Sequence, residues 1–185
     1  QDESYSGTIE HLIDDNLVDY FHEGQEVYLD EKEIILHPNQ CVLFKSNQNS
    51  KKTALARFID YDTPMQKVSS NKRGMWGVKP KNKEQIFASA LLMDETVPIV
   101  SLVGPAGSGK TLLAIAAGLE QTLSKGLYNK LVISRPVQPV GKDIGFLPGT
   151  VEEKMNPWLA PIRDNLEFLM SYSYSKRDSY ETLDT

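Results

Sequence analysis

Two scarce features, cysteine and long apolar runs, exclude several classes of protein. The chain of 185 residues has a single cysteine, so a disulfide framework is excluded. No apolar run approaches the roughly 20 residues that a membrane-spanning helix needs. Cys41 lies in an apolar run, which is typical of a small buried core residue. With 40% hydrophobic and 24% charged residues, the composition favours a cytoplasmic globular protein with no membrane partner.

Basic residues are missing from one part of the chain. Residues 1–31 hold ten of the 25 acidic residues and none of the 20 Lys and Arg, so this segment carries a charge of −10. The other 154 residues carry 20 basic and fifteen acidic residues, a balance of +5. The net charge of −5 is therefore the sum of an acidic N-terminal segment and a basic remainder, residues 32–185. We expect the acidic segment to be a solvated edge or a face that meets another protein.

One stretch carries a specific chemical signature. Residues 97–123 read as an apolar strand, a glycine-rich turn and an apolar helix. Within them Gly104, Gly109, Lys110 and Thr111 satisfy G-x-x-x-x-G-K-[ST], the phosphate-binding loop, in the strand-to-helix context that the motif requires. The dinucleotide pattern G-x-G-x-x-G fits GPAGSG in no register. The sequence therefore predicts a site for nucleotide phosphates.

Each residue type in the loop has a physical reason. Glycines let the backbone adopt positive φ and approach an anion closely, so that amide groups converge on it. The helix that begins near Ser108 adds the positive end of its dipole. Lys110 is the expected charge for the β- and γ-phosphates, and the Thr111 hydroxyl the expected Mg²⁺ ligand. The predicted binding residues are Gly104, Pro105, Ala106, Gly107, Ser108, Gly109, Lys110 and Thr111.

The residues ahead of the loop predict a small β-rich region. Helical spacing of apolar residues over residues 8–21 predicts a short amphipathic helix. Short apolar runs separated by turn residues then predict an antiparallel sheet or partial barrel. These runs are 26–29, 33–36, 40–45, 53–59 and 65–69.

A basic segment precedes the loop region. No acidic residue lies between Thr63 and Lys83, whereas this segment, with Lys83 included, contains six Lys and Arg residues. Trp76 lies among them, between Gly74 and Gly77. Basic residues with an interleaved aromatic suit single-stranded nucleic acid, which points to Lys79, Lys81 and Trp76. A solvated linker explains the same composition, and a third explanation for Trp76 is that it packs under the neighbouring domain.

A helix is predicted from about residue 83 to 93. Asn82 followed three residues later by Gln85 has the form of a helix cap, which explains both residues structurally. A glutamine just upstream of a phosphate-binding strand is also well placed to hydrogen-bond adenine. The sequence leaves both roles for Gln85 open.

Two buried parallel strands and two further helices complete the prediction. The predicted strands are residues 99–103 and 130–134. The first predicted helix is residues 110–123 and ends at Lys125-Gly126. The second begins at a cap formed by Thr150 and Glu153. Ligands bind at the carboxyl ends of such strands, where Arg135 follows the second one. Arg135 is therefore a candidate ligand contact or the partner of an acid.

Three sequence blocks resemble the PhoH family of ATPases. They read GPAGSGKTLLAIAAGLE, SRPVQPVGKDIGFLPG and EEKMNPWLAPIRDNLE, and KPKNKEQ resembles the segment ahead of that family's nucleotide loop. The resemblance covers about residues 75–170. Residues 1–70 are similar to the region that joins a PIN-type ribonuclease domain to the ATPase in longer bacterial members. Because the chain also begins at Gln1, we expect it to be a piece of a longer protein.

The resemblance implies a fold and an activity. The expected fold is α/β, a partial P-loop NTPase with a parallel sheet and flanking helices behind a small β-rich domain. Expected domains are residues 1–70, a basic linker 71–81 and a truncated ATPase domain 82–185. The implied parent is an RNA-linked ATPase or helicase with possible ribonuclease activity, forming homo-oligomers, with ATP and Mg²⁺ as cofactors. Gln85 would contact adenine, and Arg135 RNA or a second subunit.

The sequence departs from a complete nucleotidase in one respect. Hydrolysis needs an acid at the end of a later strand to hold Mg²⁺, and none of the nine acids after Thr111 closes an apolar strand. We therefore expect this chain to bind ATP but to hydrolyse it poorly, with Lys110 as its catalytic residue in the parent. The alternative function is a phosphotransferase that uses the same loop.

Overall fold

The computed structural model describes residues 5–71, 73–134, 160 and 162–171. The chain divides into two compact units. The first, here called the sheet unit, consists of Gln1–Asn71 and Pro80–Val100. The second, the loop unit, consists of Lys72–Lys79 and Ser101–Thr185. The chain therefore passes from one unit to the other three times.

The sheet unit contains a four-stranded sheet and two helices. The strands lie in sequence order: β1 (Thr8–Ile13), β2 (Cys41–Ser46), β3 (Thr53–Arg57) and β4 (Gln66–Lys67). Helix α1 spans Asp15–His22 and helix α2 spans Lys83–Leu92. Strands β1 and β2 are parallel, whereas β2 with β3 and β3 with β4 are antiparallel. The predicted antiparallel sheet is thus confirmed for β2, β3 and β4, whereas the parallel strand β1 was not among its predicted strands.

The helix predicted over residues 8–21 is wrong in its first half. Residues 8–13 form β1, and the helix begins only at Asp15. Ile9 and Ile13 point into the core at the spacing of a strand, whereas Leu12 is 66% exposed. Asp14, with its extended backbone, separates the two elements. The apolar residues of β1 and those of α1, taken together, match the spacing of a single amphipathic helix, which explains the wrong prediction.

Two other predicted strands are not formed, although both segments lie within the described residues. Residues 26–29 and 33–36 have no strand structure, although Val27, Leu29 and Leu36 are buried in the main core. The Tyr61 hydroxyl holds the second segment in place, since it accepts from the Leu36 amide and donates to the Ile34 carbonyl. The apolar residues of these two segments therefore predicted burial correctly but predicted strands wrongly.

Helix α2 packs on the sheet through a second apolar cluster. Phe87, Cys41 and Val68 are buried together, with Ile86, Leu55, Ala90 and Leu91 partly buried around them. The predicted helix 83–93 and its apolar face are confirmed. Burial raises the pKa of the Cys41 thiol to about 11, as expected of a structural rather than a reactive cysteine.

The loop unit is helical where it is described. Helix α3 spans Lys110–Leu119 and continues as a π-helix over Glu120–Ser124. Gly126 follows with φ of 64°, so the predicted helix end is confirmed. Residues 162–171 form a further helix, α4, in which Leu169 is fully buried. The predicted cap at Thr150 and Glu153 lies outside the described residues.

The two parallel strands predicted around the loop are not formed. Residues 99–103 and 130–134 have no regular secondary structure, and Val103 and Val132 are 94% and 73% exposed. A parallel strand is held by ladder hydrogen bonds from neighbouring strands. Across the described ranges, no strand pairs with either segment. Leu131 instead lies against Gly118 of α3, where an added Cβ would approach its Cδ1 to 2.6 Å.

The protein belongs to the mixed α/β class. Its sheet contains a parallel pair, with α1 packed into one core cluster and α2 into another, which is compatible with a partial P-loop NTPase fold. None of the helices in the described part of the chain is both long and apolar enough to cross a membrane.

Candidate functional site

Residues 104–109 form a glycine loop that leads into α3. Gly107 and Gly109 have φ of 77° and 87°, values that a residue with a Cβ adopts only under strain. Gly109 is also the N-cap of α3, and its carbonyl accepts from the Leu113 amide at 2.9 Å. Gly104 has no positive φ, so that part of the prediction is wrong for it. A Cβ at Gly104 would lie 3.4 Å from Ser108 Oγ.

The Lys110 side chain folds back across the loop. Its Nζ donates to the Gly104 carbonyl at 2.9 Å and to the Pro105 carbonyl at 2.6 Å. It also donates to Ser108 Oγ at 3.3 Å. An ammonium group has three donors, so these oxygens orient it fully. The charge predicted to meet phosphate is therefore held over the loop by the loop's own backbone.

The first turn of α3 is chemically suited to an anion. Its N-cap is a glycine without a capping side chain, and the first turn contains no acid. The first amides of a helix lack backbone acceptors within it, and the dipole places partial positive charge there. Thr111 is exposed in the same turn and offers a hydroxyl oxygen. Amides, an ammonium group and a hydroxyl are the donor set that a Mg²⁺-bound phosphate requires.

Within residues 5–71, 73–134, 160 and 162–171, no group of three or more His, Cys, Asp or Glu side chains is arranged to hold a metal ion.

Gln85 lies on α2 in the sheet unit and takes part in the helix cap. Asn82 Oδ1 accepts from the Gln85 amide at 2.8 Å, and Gln85 Oε1 accepts from the Lys81 amide at 2.8 Å. The capping role predicted from the sequence is confirmed. Its contact with adenine stays a prediction.

The predicted nucleic-acid residues fall in different places. Lys79 and Lys81 are exposed, the first in the loop unit and the second in the sheet unit. Trp76 is half-buried, and its indole Nε1 donates to the Leu169 carbonyl at 3.2 Å. Trp76 therefore packs in the loop unit, the third of the explanations open from the sequence. Arg135 lies outside the described residues.

Sequence reasoning missed one participant in the loop unit. Glu120 Oε2 accepts from the Trp76 backbone amide at 2.8 Å, at the point where α3 becomes a π-helix. The available sequence signal was the pair Gly74 and Gly77 on either side of Met75-Trp76. Closely spaced glycines indicate a tight turn, and such a turn holds the residues between them in one position.

A family comparison agrees with the loop and the fold. The model of the PhoH-like protein family matches residues 77–182, more than half of the chain. The chain therefore belongs to the PhoH-like family, and the resemblance noted from the three sequence blocks is confirmed.

Individual relatives extend the match towards the N-terminus. Protein PhoH2 of Bacillus subtilis (strain 168) is 44% identical over 171 residues, which is 92% of this chain and 39% of that protein. Protein PhoH2 of Thermobispora bispora is 33% identical over 156 residues, or 84% of this chain and 34% of that protein. This chain thus spans about two fifths or less of the length of these relatives. No solved structure matches the chain.

Proposed function

We propose that the chain binds ATP with Mg²⁺ through residues 104–111. The observation that carries this proposal is the placement of Lys110 Nζ over the loop, at the uncapped N-terminus of α3. There the ammonium group, the helix dipole and the backbone amides all favour the same anion. Membership of the PhoH-like family supports the nucleotide as that anion.

The residues have separate roles in this proposal. The backbone of residues 104–109 cradles the phosphates, Lys110 neutralises their charge, and Thr111 holds the metal ion. Bound Mg²⁺ would supply charge neutralisation at the β- and γ-phosphates. Gln85 is the proposed adenine contact; its Oε1 already accepts from the Lys81 amide, so its side-chain NH₂ group is the part proposed to meet the base.

The full-length protein is proposed to be an RNA-linked ATPase or helicase, acting in the cytoplasm as a homo-oligomer, with ribonuclease activity from a PIN-type domain. Within this chain, Lys79 and Lys81 are the proposed contacts to the RNA backbone, and Arg135 joins them. Trp76 offers only part of its ring for stacking, since it is half-buried.

Hydrolysis requires more than the loop. In residues 112–134 the only acid is Glu120, and its carboxylate accepts from Trp76 at the far end of α3. We propose that this 185-residue chain binds ATP without hydrolysing it efficiently. Phosphate release should stay at the level of Lys110→Ala; release that this substitution abolishes would overturn the proposal.

The same loop geometry serves a phosphotransferase, the alternative function. A kinase would transfer phosphate to a small acceptor and would be indifferent to RNA. Incubation with ATP and candidate acceptors, with and without single-stranded RNA, separates the two functions.

A further inference from the structure

A short strained turn lies in the loop unit, here called the strap and defined as Gly74–Val78. Met75 and Val78 pair across this turn, since the Met75 amide donates to the Val78 carbonyl at 2.9 Å and the Val78 amide donates to the Met75 carbonyl at 2.8 Å. Gly74, Trp76 and Gly77 all have positive φ, of 73°, 48° and 80°. Positive φ is unfavourable for tryptophan, so its surroundings must hold it there.

Two hydrogen bonds hold Trp76. Its backbone amide donates to Glu120 Oε2 at 2.8 Å, and its indole Nε1 donates to the Leu169 carbonyl at 3.2 Å. The first bond is charge-assisted and the second reaches a fully buried residue of α4. One residue of the strap thus fixes points on two different helices.

Glu120 lies at a distinctive position on the first of these helices. It is the first residue of the π-helix, whose wider turn is closed by the Lys125 amide donating to the Glu120 carbonyl at 2.9 Å. The preceding ten residues are α3, which begins with Lys110 and Thr111. The strap is therefore hydrogen-bonded to the C-terminal end of this helix, and the proposed phosphate-binding side chains, Lys110 and Thr111, lie at its N-terminal end.

We propose that Trp76 and Glu120 are positioning residues for the phosphate-binding loop. A helix of this length moves as a rigid rod, so fixing its C-terminal end restricts the tilt and rotation of Lys110 and Thr111. This inference rests on the proposed nucleotide binding. Because coupling between two sites is reciprocal, phosphate at the loop must in turn alter the strap.

Fluorescence measures this reciprocity directly. The chain has two tryptophans, so Trp158→Phe leaves Trp76 as the only reporter. We expect Mg-tripolyphosphate and Mg-ATP to shift the emission of Trp76, or its quenching by acrylamide, with midpoints equal to their calorimetric Kd values. A purely structural strap would give no such change. Calorimetric binding with unchanged Trp76 emission and quenching overturns the inference.

Substitutions at Glu120 measure the same coupling from the other side. Glu120→Ala removes the acceptor, and we expect it to weaken Mg-ATP and Mg-tripolyphosphate equally, by about fivefold or more. Glu120→Gln keeps a neutral acceptor and should restore affinity to within about threefold. The control is Glu167→Ala, an exposed acid on α4 that makes neither bond to Trp76. Circular dichroism reports whether each variant is folded.

The outcomes distinguish this inference from the proposed function. No binding of either ligand to the wild-type chain refutes nucleotide binding, and the positioning role with it. Wild-type binding that Glu120→Ala leaves unchanged refutes the positioning role alone. If Glu120→Ala does not fold, the fluorescence titration of the intact strap decides.

Discussion

Arg57 Nη1 donates to Asp94 Oδ2 at 2.5 Å and ties β3 to the segment that follows α2. The guanidinium is buried and also donates from Nε and Nη2 to Asn39 Oδ1, at 3.1 and 2.6 Å. Asp94 in turn accepts from the amide and the hydroxyl of Thr96. This network lies in the sheet unit just before the chain leaves that unit for the glycine loop at residues 104–109.

The network makes the sheet unit sensitive to acid. Hydrogen bonds from the Thr96 hydroxyl and then from Arg57 lower the pKa of Asp94 to about 2. A carboxyl whose pKa is lowered by folding stabilises the protein above its unfolded pKa of about 3.9, and this contribution is lost as the pH falls through the folded pKa. Asp94→Asn should therefore cost about 1–2 kcal/mol at pH 7, since the carboxylate is partly solvated.

Urea denaturation of the wild type and Asp94→Asn at several pH values checks this prediction. The difference in unfolding free energy should narrow steadily between pH 5 and pH 2. The control is Asp62→Asn, an exposed acid in the same unit, which should behave like the wild type. A difference that stays constant over this range would contradict the assigned role of Asp94.

The sequence predicted the elements that local chemistry determines. The cap at Asn82, helix α2 and the end of the helix at Gly126 all depend on nearby residues, and each is confirmed. Residues 99–103 and 130–134 are apolar enough for strands, but a strand also needs partners distant in sequence. The apolar periodicity over residues 8–21 predicted one helix for a related reason, because residues 8–13 form a strand through their pairing with β2, which lies more than 25 residues later in the sequence.

The site was predictable to a similar extent. The motif located Lys110 and Thr111 and the α3 N-terminus. It did not indicate that the Lys110 ammonium group lies against the Gly104 and Pro105 carbonyls, since side-chain orientation depends on the folded loop. Glu120 and Trp76 are 44 residues apart, and no local pattern links them.

Two glycines in the loop unit offer a matched comparison of backbone strain. Gly74 and Gly126 both have positive φ. A Cβ at Gly74 would lie 2.3 Å from the Val78 carbonyl oxygen, whereas a Cβ at Gly126 has nothing within 4 Å. We expect Gly126→Ala to cost about 1 kcal/mol for the backbone conformation alone.

Gly74→Ala adds a clash with the backbone, so we expect it to cost about 3 kcal/mol or more. Thermal denaturation of both variants provides the measurement. Equal losses of stability would mean that the strap adjusts without strain.

Thr111 provides a test of the metal ligand. If its hydroxyl binds Mg²⁺, Thr111→Ala should weaken Mg-ATP binding by about tenfold, a difference of about 1.4 kcal/mol. Thr111→Ser keeps the hydroxyl and should bind Mg-ATP like the wild type. With EDTA present, all three chains should bind ATP equally weakly. An equal loss with and without Mg²⁺ would assign Thr111 to the phosphates instead.

The lysines on either side of Pro80 can be tested through salt dependence. Lys79 and Lys81 are exposed, and each phosphate contact on a single strand contributes about 0.7 to the slope of log K against log salt. Replacing both with glutamine should lower the slope for single-stranded RNA by about 1.4. Lys32→Gln, an exposed lysine outside the basic segment, is the control. If RNA affinity does not depend on salt concentration, residues 79–81 do not contact RNA and serve only as a linker.

The central claim is that the loop at residues 104–111 binds Mg-ATP. Calorimetric titration of Mg-ATP into the wild type, Lys110→Ala and the exposed-lysine control Lys125→Ala tests it, with and without single-stranded RNA. We expect saturable binding to the wild type and to Lys125→Ala, and affinity at least about tenfold weaker in Lys110→Ala. A change in affinity on adding RNA would report coupling between the two ligands. Equal binding to Lys110→Ala, or no binding to the wild type, would contradict the claim.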